Sequence, residues 1–166
     1  MIFRLLLLWF CLSAVAVAQS EQAETPIEST GNFRLVLDEI VRLTNLEREK
    51  YGALPLQADA NLEEAATGHS REMAQLNYFS HNSPVQGRAA PRDRILLTGI
   101  QPRATGENIA LFDSYPLQTL ARNAVQGWMD SPPHRKNILN PMFTHIGVGV
   151  GKSGNTYYLT QNFCSY

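Results

Sequence analysis

Three side chains able to hold a cation or move a proton stand at segment junctions: His81 in "NYFSHNSP", Glu107 in "GENIA" and His134 in "SPPHRKNILN". Two imidazoles and one carboxylate supply the nitrogen and oxygen donors that a divalent cation such as zinc accepts, with space left for water. The same set suits proton transfer, because a carboxylate can orient a histidine and raise its basicity. Spacing alone does not choose between the two chemistries. The chain has no His-Glu-x-x-His helix, the pattern that places two metal ligands on one helical face. Nor does a serine-histidine-aspartate motif or a reactive-cysteine context point to covalent catalysis. Cys164 is expected after the last strand, outside any cleft, as an unpaired thiol or an intermolecular bridge.

These residues need elements to position them. Phe33, Val36, Leu37, Ile40, Val41 and Thr44 recur at three- and four-residue spacing and predict a first helix that Gly52 ends. A second helix starts at a cap supplied by Asp59 or Asn61 and carries Leu62, Ala65, Ala66, His69, Met73 and Leu76 on one face. Residues 77–91 read as a loop holding His81, and Pro91 opens a short helical segment through Leu96. A longer helix is expected from Pro116 to Met129, with Leu117, Leu120, Ala121, Ala124, Val125 and Trp128 buried. The two prolines at 132 and 133 end it, which leaves His134 in a turn. Glu107 to Phe112 reads as a strand. Thr144 to Val150 and Thr156 to Phe163 read as two more, joined by a hairpin turn at Ser153-Gly154-Asn155. Glycines at 147, 149 and 151 leave one sheet face bare, open to a helix or a ligand. The class is α+β, with helices packed on a small antiparallel sheet.

Several polar residues have plainer readings. His69 lies on an apolar helix face as a hydrogen-bonded core or cleft-wall residue, and His145 starts a strand facing solvent. Asn45, Arg48, Asn108, Asn137 and Gln161 read as buried hydrogen-bond anchors, since unsatisfied buried polar groups are costly.

The chain opens with MIFRLLLLWFCLSAVAVAQS, a basic end, an apolar run and Ala16-Val17-Ala18, which is the pattern of a secretory signal peptide over residues 1–18. Cleavage there removes Arg4 and Cys11, and leaves 148 of the 166 residues with 13 basic against 15 acidic side chains. That balance favours neither nucleic acid nor an anionic membrane as partner. With one cysteine left, the exported chain has no internal disulfide and must rest on packing. Residues 19–32 are polar and acidic and are expected to form a flexible tether.

Five segments, "TNLEREKYGALPL", "FSHNSP", "GENIA", "WMDSPPHRKNILNPMFTHIGVGV" and "YYLTQNF", resemble in order and spacing the bacterial branch of the CAP superfamily. That superfamily takes its name from the cysteine-rich secretory proteins, antigen 5 and the pathogenesis-related proteins, and its module is also known as the SCP domain. The resemblance covers about residues 33–163. It implies a CAP domain over 33–166, folded as an α-β-α sandwich with a small antiparallel sheet between helices. It also implies a cleft lined by two histidines and acidic residues, in which several members hold a divalent cation. Carried over by motif, the cleft residues are His81, Glu107 and His134, and these three are the expected metal ligands. Many eukaryotic members have a second glutamate three residues after the tryptophan of the third helix. Here Met129, Asp130 and Ser131 follow Trp128, so Asp130 is the acidic residue nearest that position, and His69 completes the expected cleft wall. The function expected is that of an exported periplasmic or extracellular binding module. Its ligand would be a divalent cation, a lipid or a cell-envelope fragment, bound without turnover. A metal-assisted hydrolase of peptide or cell-wall substrates and an envelope assembly protein are the alternatives.

Overall fold

A computed structural model describes the backbone of residues 26–166 and the side chains of residues 32–166. The signal-peptide segment 1–18 and the first part of the tether, residues 19–25, lie outside the described residues. In chain order the elements are α1 (Pro26–Lys50), β1 (Gln57–Ala58), α2 (Ala60–Leu76), α3 (Pro91–Leu97), β2 (Ala104–Asp113), α4 (Leu117–Asp130), α5 (Pro132–Ile138), β3 (His145–Ser153) and β4 (Thr156–Ser165). Helix α1 starts earlier than its apolar periodicity suggests. The backbone of 26–32, expected in the tether, is helical, with Pro26 at a first position where its missing N–H costs nothing.

The sheet has the order β1-β3-β4-β2. β3 and β4 form the expected hairpin, and β2 pairs antiparallel to β4 along its whole length. The sheet is nonetheless mixed, because β1 pairs parallel to β3 at Gln57↔His145 and Ala58↔Ile146. Two residues are too few to produce any hydrophobic alternation, so this strand has no periodic signal. Asp59, directly after it, caps α2 by accepting from Leu62 N at 2.9 Å.

Helices cover both faces. Val148, Val150, Tyr157, Leu159 and Phe163 point to one face and pack with Val36, Leu37 and Ile40 of α1 and with Leu120, Ala124, Val125 and Trp128 of α4. On the opposite face Leu62, Ala65, Met73 and Ala74 of α2 pack with Ile95, Ile109, Tyr158 and Cys164. The α-β-α order follows from the strict alternation of side chains along β4. Cys164 is a correction to the sequence reading: it lies inside β4, fully buried and free. Burial pushes its thiol up to about 12, so it is inert at neutral pH.

The bare glycine face is filled by a helix. A Cβ on Gly147, Gly149 or Gly151 would stand 2.1–2.2 Å from backbone atoms of Glu63, Thr67 and Ser70. Ser70 Oγ donates to Gly149 O at 3.1 Å and to Thr160 Oγ1 at 2.8 Å, so two side-chain bonds lock α2 onto β3 and β4. At the other end of the domain Arg48, 1% exposed, gathers two loops and the end of α5: Nε donates to Leu54 O, Nη1 to Ile138 O and Asn140 O, and Nη2 to Phe143 O. Asn45 exchanges two bonds with the Leu56 backbone. These two residues are the anchors expected from the sequence.

Gly149→Ala is expected to destabilise the domain by about 3 kcal/mol, because the added methyl meets helix backbone and not a movable side chain. Urea unfolding of the variant checks this; an unchanged midpoint would mean that α2 can retreat without loss.

Candidate functional site

Glu107 and Asn108 are neighbours on β2, so their side chains leave the strand on opposite faces. Glu107 points toward α2 and α3, and Asn108 points toward α5. Because β2 is the edge strand beside β4, groups from the two faces can meet around its free side.

The Glu107 carboxylate is 2% exposed and bound from several directions. Arg94 Nη2 donates to Oε2 at 2.7 Å, and His81 Nδ1 lies 2.9 Å from Oε1. Asn162, opposite Glu107 in the ladder, adds a donor 3.2 Å from Oε2 when its amide nitrogen faces the carboxylate. The Arg94 guanidinium, itself 4% exposed, also donates to the backbone carbonyls of His81, Arg88 and Ala89. One buried cation thus fixes both Glu107 and the loop that carries His81. With Nδ1–H donated to the carboxylate, His81 keeps its lone pair on Nε2, and the ring is 47% exposed.

A second carboxylate steadies the same loop. Glu72 of α2 is 6% exposed and accepts from Tyr78 Oη at 2.5 Å, from Ser83 Oγ and from Arg88 Nη1 at 3.1 Å. Burial alone would raise its pKa, but the bonds from Ser83, Tyr78 and Arg88 outweigh it and hold Glu72 below the usual carboxylate range.

His134 comes from the other side. The expected turn is in fact α5: Pro132 and Pro133 end α4 and also start the next helix, since proline is tolerated where no N–H is needed. A chain of amides, buried at Asn108 and Gln161 and half-buried at Asn137, docks α5 on β2. Asn108 Nδ2 donates to His134 O at 3.2 Å and to Gln161 Oε1 at 3.0 Å, and Asn137 Nδ2 donates to Glu107 O and Asn108 Oδ1. Gln161 Nε2 then donates to Thr44 of α1. Asn108, Asn137 and Gln161 are therefore anchors, as their types suggested. The glycine of "GEN" is required for space, not freedom, because a Cβ at Gly106 would stand 2.8 Å from the Phe143 ring. Burial lowers the pKa of His134, and the charge of His81 lowers it further.

His69 forms the inner wall. It is 1% exposed, its Nε2 donates to Ser80 O at 3.0 Å, and Nε2 lies 4.0 Å from Glu107 Oε1. Burial holds its pKa below the usual histidine value, even though Glu107 pulls the other way. Asp130 is not brought to the cleft. It is exposed on α4, accepts from Gln126 Nε2 at 2.9 Å, and lines a surface depression with Arg135 and Lys136. The helical turn that would carry an acid inward is used by Trp128, whose Nε1 donates to Ile109 O. His145 also lies elsewhere, stacked on Tyr166 at 4.3 Å.

Whether these residues suit a divalent cation turns on their donors. His81 presents Nε2 outward with its other nitrogen held by a carboxylate, the support that metal-binding histidines commonly have. His134 is the second imidazole, and its lowered pKa favours the unprotonated form that can donate a lone pair. Glu107 is turned inward to Arg94 and His81, and among the described residues no three His, Cys, Asp or Glu side chains converge as a metal-binding group. The residues that would hold a divalent cation are His81 and His134, with Glu107 as the carboxylate that orients His81. Arg94 and Glu72, which hold this geometry, have no sequence motif of their own; the only hint is a run of charged residues around a loop.

Comparison with known proteins agrees with this architecture. Residues 41–163 match the model of the cysteine-rich secretory protein family, CAP, and the chain belongs to that family. It is 41% identical over 148 residues to the uncharacterized protein YkwD of Bacillus subtilis (strain 168), covering 89% of this chain and 54% of that one. The crystal structure of an extracellular protein containing a SCP domain from Bacillus anthracis str. Ames matches with a TM-score of 0.68 and 35% identity, over 88% of this chain and 45% of that chain. An outer surface protein from Borrelia burgdorferi shares the fold with a TM-score of 0.64 at 21% identity, over 82% of this chain and 94% of that one. The chain thus spans about half the length of YkwD and of the Bacillus anthracis protein.

Proton NMR titration of the imidazole rings should give His134 a midpoint below the ordinary histidine value of about 6.5. His81→Ala should bring it part of the way back, since burial then acts alone. The sign matters for binding: a depressed pKa keeps His134 unprotonated, and able to donate, to more acid pH than a free imidazole. A His134 midpoint above the ordinary value would contradict the geometry.

Proposed function

We propose that this chain is an exported binding module whose cleft, bounded by His81, Glu107 and His134, takes up a ligand without turning it over. The ligand is a divalent cation such as zinc held by His81 and His134, alone or together with a lipid or cell-envelope group. The observation that carries this reading is the commitment of Glu107. A carboxylate 2% exposed, with one oxygen 2.7 Å from Arg94 and the other 2.9 Å from His81, has both oxygens engaged within the protein, which makes it a positioning group. Cys164, the one thiol among the described residues, is buried in β4 and supplies no nucleophile to the cleft.

Support for export comes from the amino-terminal sequence pattern and from the relatives, one described as extracellular and one as an outer surface protein. Among the described residues no helix is long and apolar enough to cross a membrane.

One observation favours a second reading, metal-assisted or histidine-assisted hydrolysis. His81 Nδ1 donating to Glu107 at 2.9 Å leaves Nε2 as a carboxylate-backed base that could take a proton from water. The two readings separate in one set of measurements. Calorimetric titration should show zinc binding that weakens from pH 7.5 to pH 5.5 as imidazoles protonate, and that is lost in the His81→Ala, His134→Ala double variant. Glu107→Gln should weaken zinc binding by about 10-fold to 100-fold, with no turnover of peptidoglycan or peptides by wild type, with zinc or with chelator. Zinc-dependent turnover by wild type that disappears in Glu107→Gln would make the protein a hydrolase.

A further inference from the structure

A groove of about 500 Å³ that shares no residue with the His81 cleft runs between α1 and α2, lined by Phe33, Arg34 and Leu37 on one wall and by Glu63, Thr67, Arg71 and Gln75 on the other. Its floor is the outer side of β3 at Val150, Gly151 and Lys152. β1 pairs with β3 only as far as Ile146, and among the described residues no other strand lies on that side. Gln57 N donates to Thr144 O and Asp59 N to Ile146 O, so the backbone groups of even-numbered residues point outward. The ladder to β4 runs without a bulge from His145 to Ser153, and the alternation therefore continues. Val150 and Lys152 thus present their N–H and C=O groups to the groove. An unpaired edge of this kind is a template for another strand.

We propose that this edge docks an extended acidic peptide of a partner protein, which joins the sheet as an added strand in line with β1. The two walls specify its pattern. Side chains of a strand lying in the sheet plane alternate between the faces. Those directed to the α1 side meet Phe33 and Leu37, and those directed to the α2 side meet Thr67, Arg71 and Gln75. Arg34 is already paired with Glu63 across the groove and with Asp38. Arg71 is exposed and has no carboxylate within ion-pair distance among the described residues, whereas Lys152, on the α1 side, has its ammonium over the Tyr157 ring at 5.3 Å. An exposed arginine without a carboxylate partner on the α2 wall selects carboxylates at the positions directed there. The favoured segment alternates apolar and acidic residues, with main-chain hydrogen bonds giving affinity and the alternate side chains giving specificity.

The test uses a fluorescein-labelled hexapeptide of alternating valine and glutamate, followed by anisotropy and by amide hydrogen exchange in the full-length protein. The glutamate peptide should bind about tenfold or more tightly than the same peptide with lysine for glutamate. It should slow exchange at Val150 and Lys152 while leaving Gly149, already bonded to β4, unchanged. Arg71→Glu, on an exposed helix face, should weaken binding by a similar factor. Failure of the glutamate peptide to bind overturns the proposal. So does equal binding by a peptide N-methylated at alternate backbone nitrogens, or equal competition by free glutamate, since either would show charge attraction without strand addition.

Discussion

The contact between α2 and the glycine positions of β3 is the constraint on which the rest of the domain depends. With side chains at 147, 149 and 151 the helix would have to stand off the sheet by several ångströms, as helices usually do. Here helix backbone lies where those side chains would be. That approach brings His69 within 4.0 Å of Glu107 and places Glu72 under the loop that carries His81. The opposite face of β3, with Val148 and Val150, forms an ordinary apolar core against α1 and α4. One strand therefore has two unlike faces, and the site is built on the side where the layers are closest.

Given that frame, the cleft is organised by buried charge. An unpaired carboxylate at the burial of Glu107 would be strongly unfavourable, and Arg94 offsets the cost while bonding three loop carbonyls. The pair is thus an anchor for the loop as much as an ion pair. On the far side of β2 neutral amides take over: Asn108, Asn137 and Gln161 place His134 and α5, whose last carbonyl also accepts from Arg48. The two histidines are held from different layers by different chemistry, one through an ion pair and one through an amide chain.

Much of this is legible in the sequence, and the reasons differ by element. The amphipathic helices and the β3–β4 hairpin declare themselves through period, cap and turn residues, and the glycine face through its alternation. His81, Glu107 and His134 stand out by type and by their place at segment junctions, and the motif resemblance sets them in one cleft. The two-residue β1 is not legible because it has no period, so the sequence suggests a wholly antiparallel sheet. The prolines at 132 and 133 read as a stop, although proline at a first helical position is also a start. Cys164 reads as lying beyond β4 because a strand's end has no sharp sequence mark. Asp130 draws notice for its position after Trp128, yet the helix turns that side chain to solvent. Arg94 and Glu72 escape sequence reasoning since a buried ion pair between distant segments leaves no local signature.

The central claim is that Glu107 serves His81 as an orienting acceptor, so that the exposed nitrogen of the ring is the one free to bind. Nitrogen-15 NMR of His81 at neutral pH reads this directly, because the two ring nitrogens differ in shift according to which carries the proton. The account predicts the Nδ1–H form, with Nε2 as the unprotonated nitrogen, and loss of that preference in Glu107→Ala. A ring protonated at Nε2 in the wild-type protein would contradict it, since the outward nitrogen would then be a donor with no lone pair to offer a ligand.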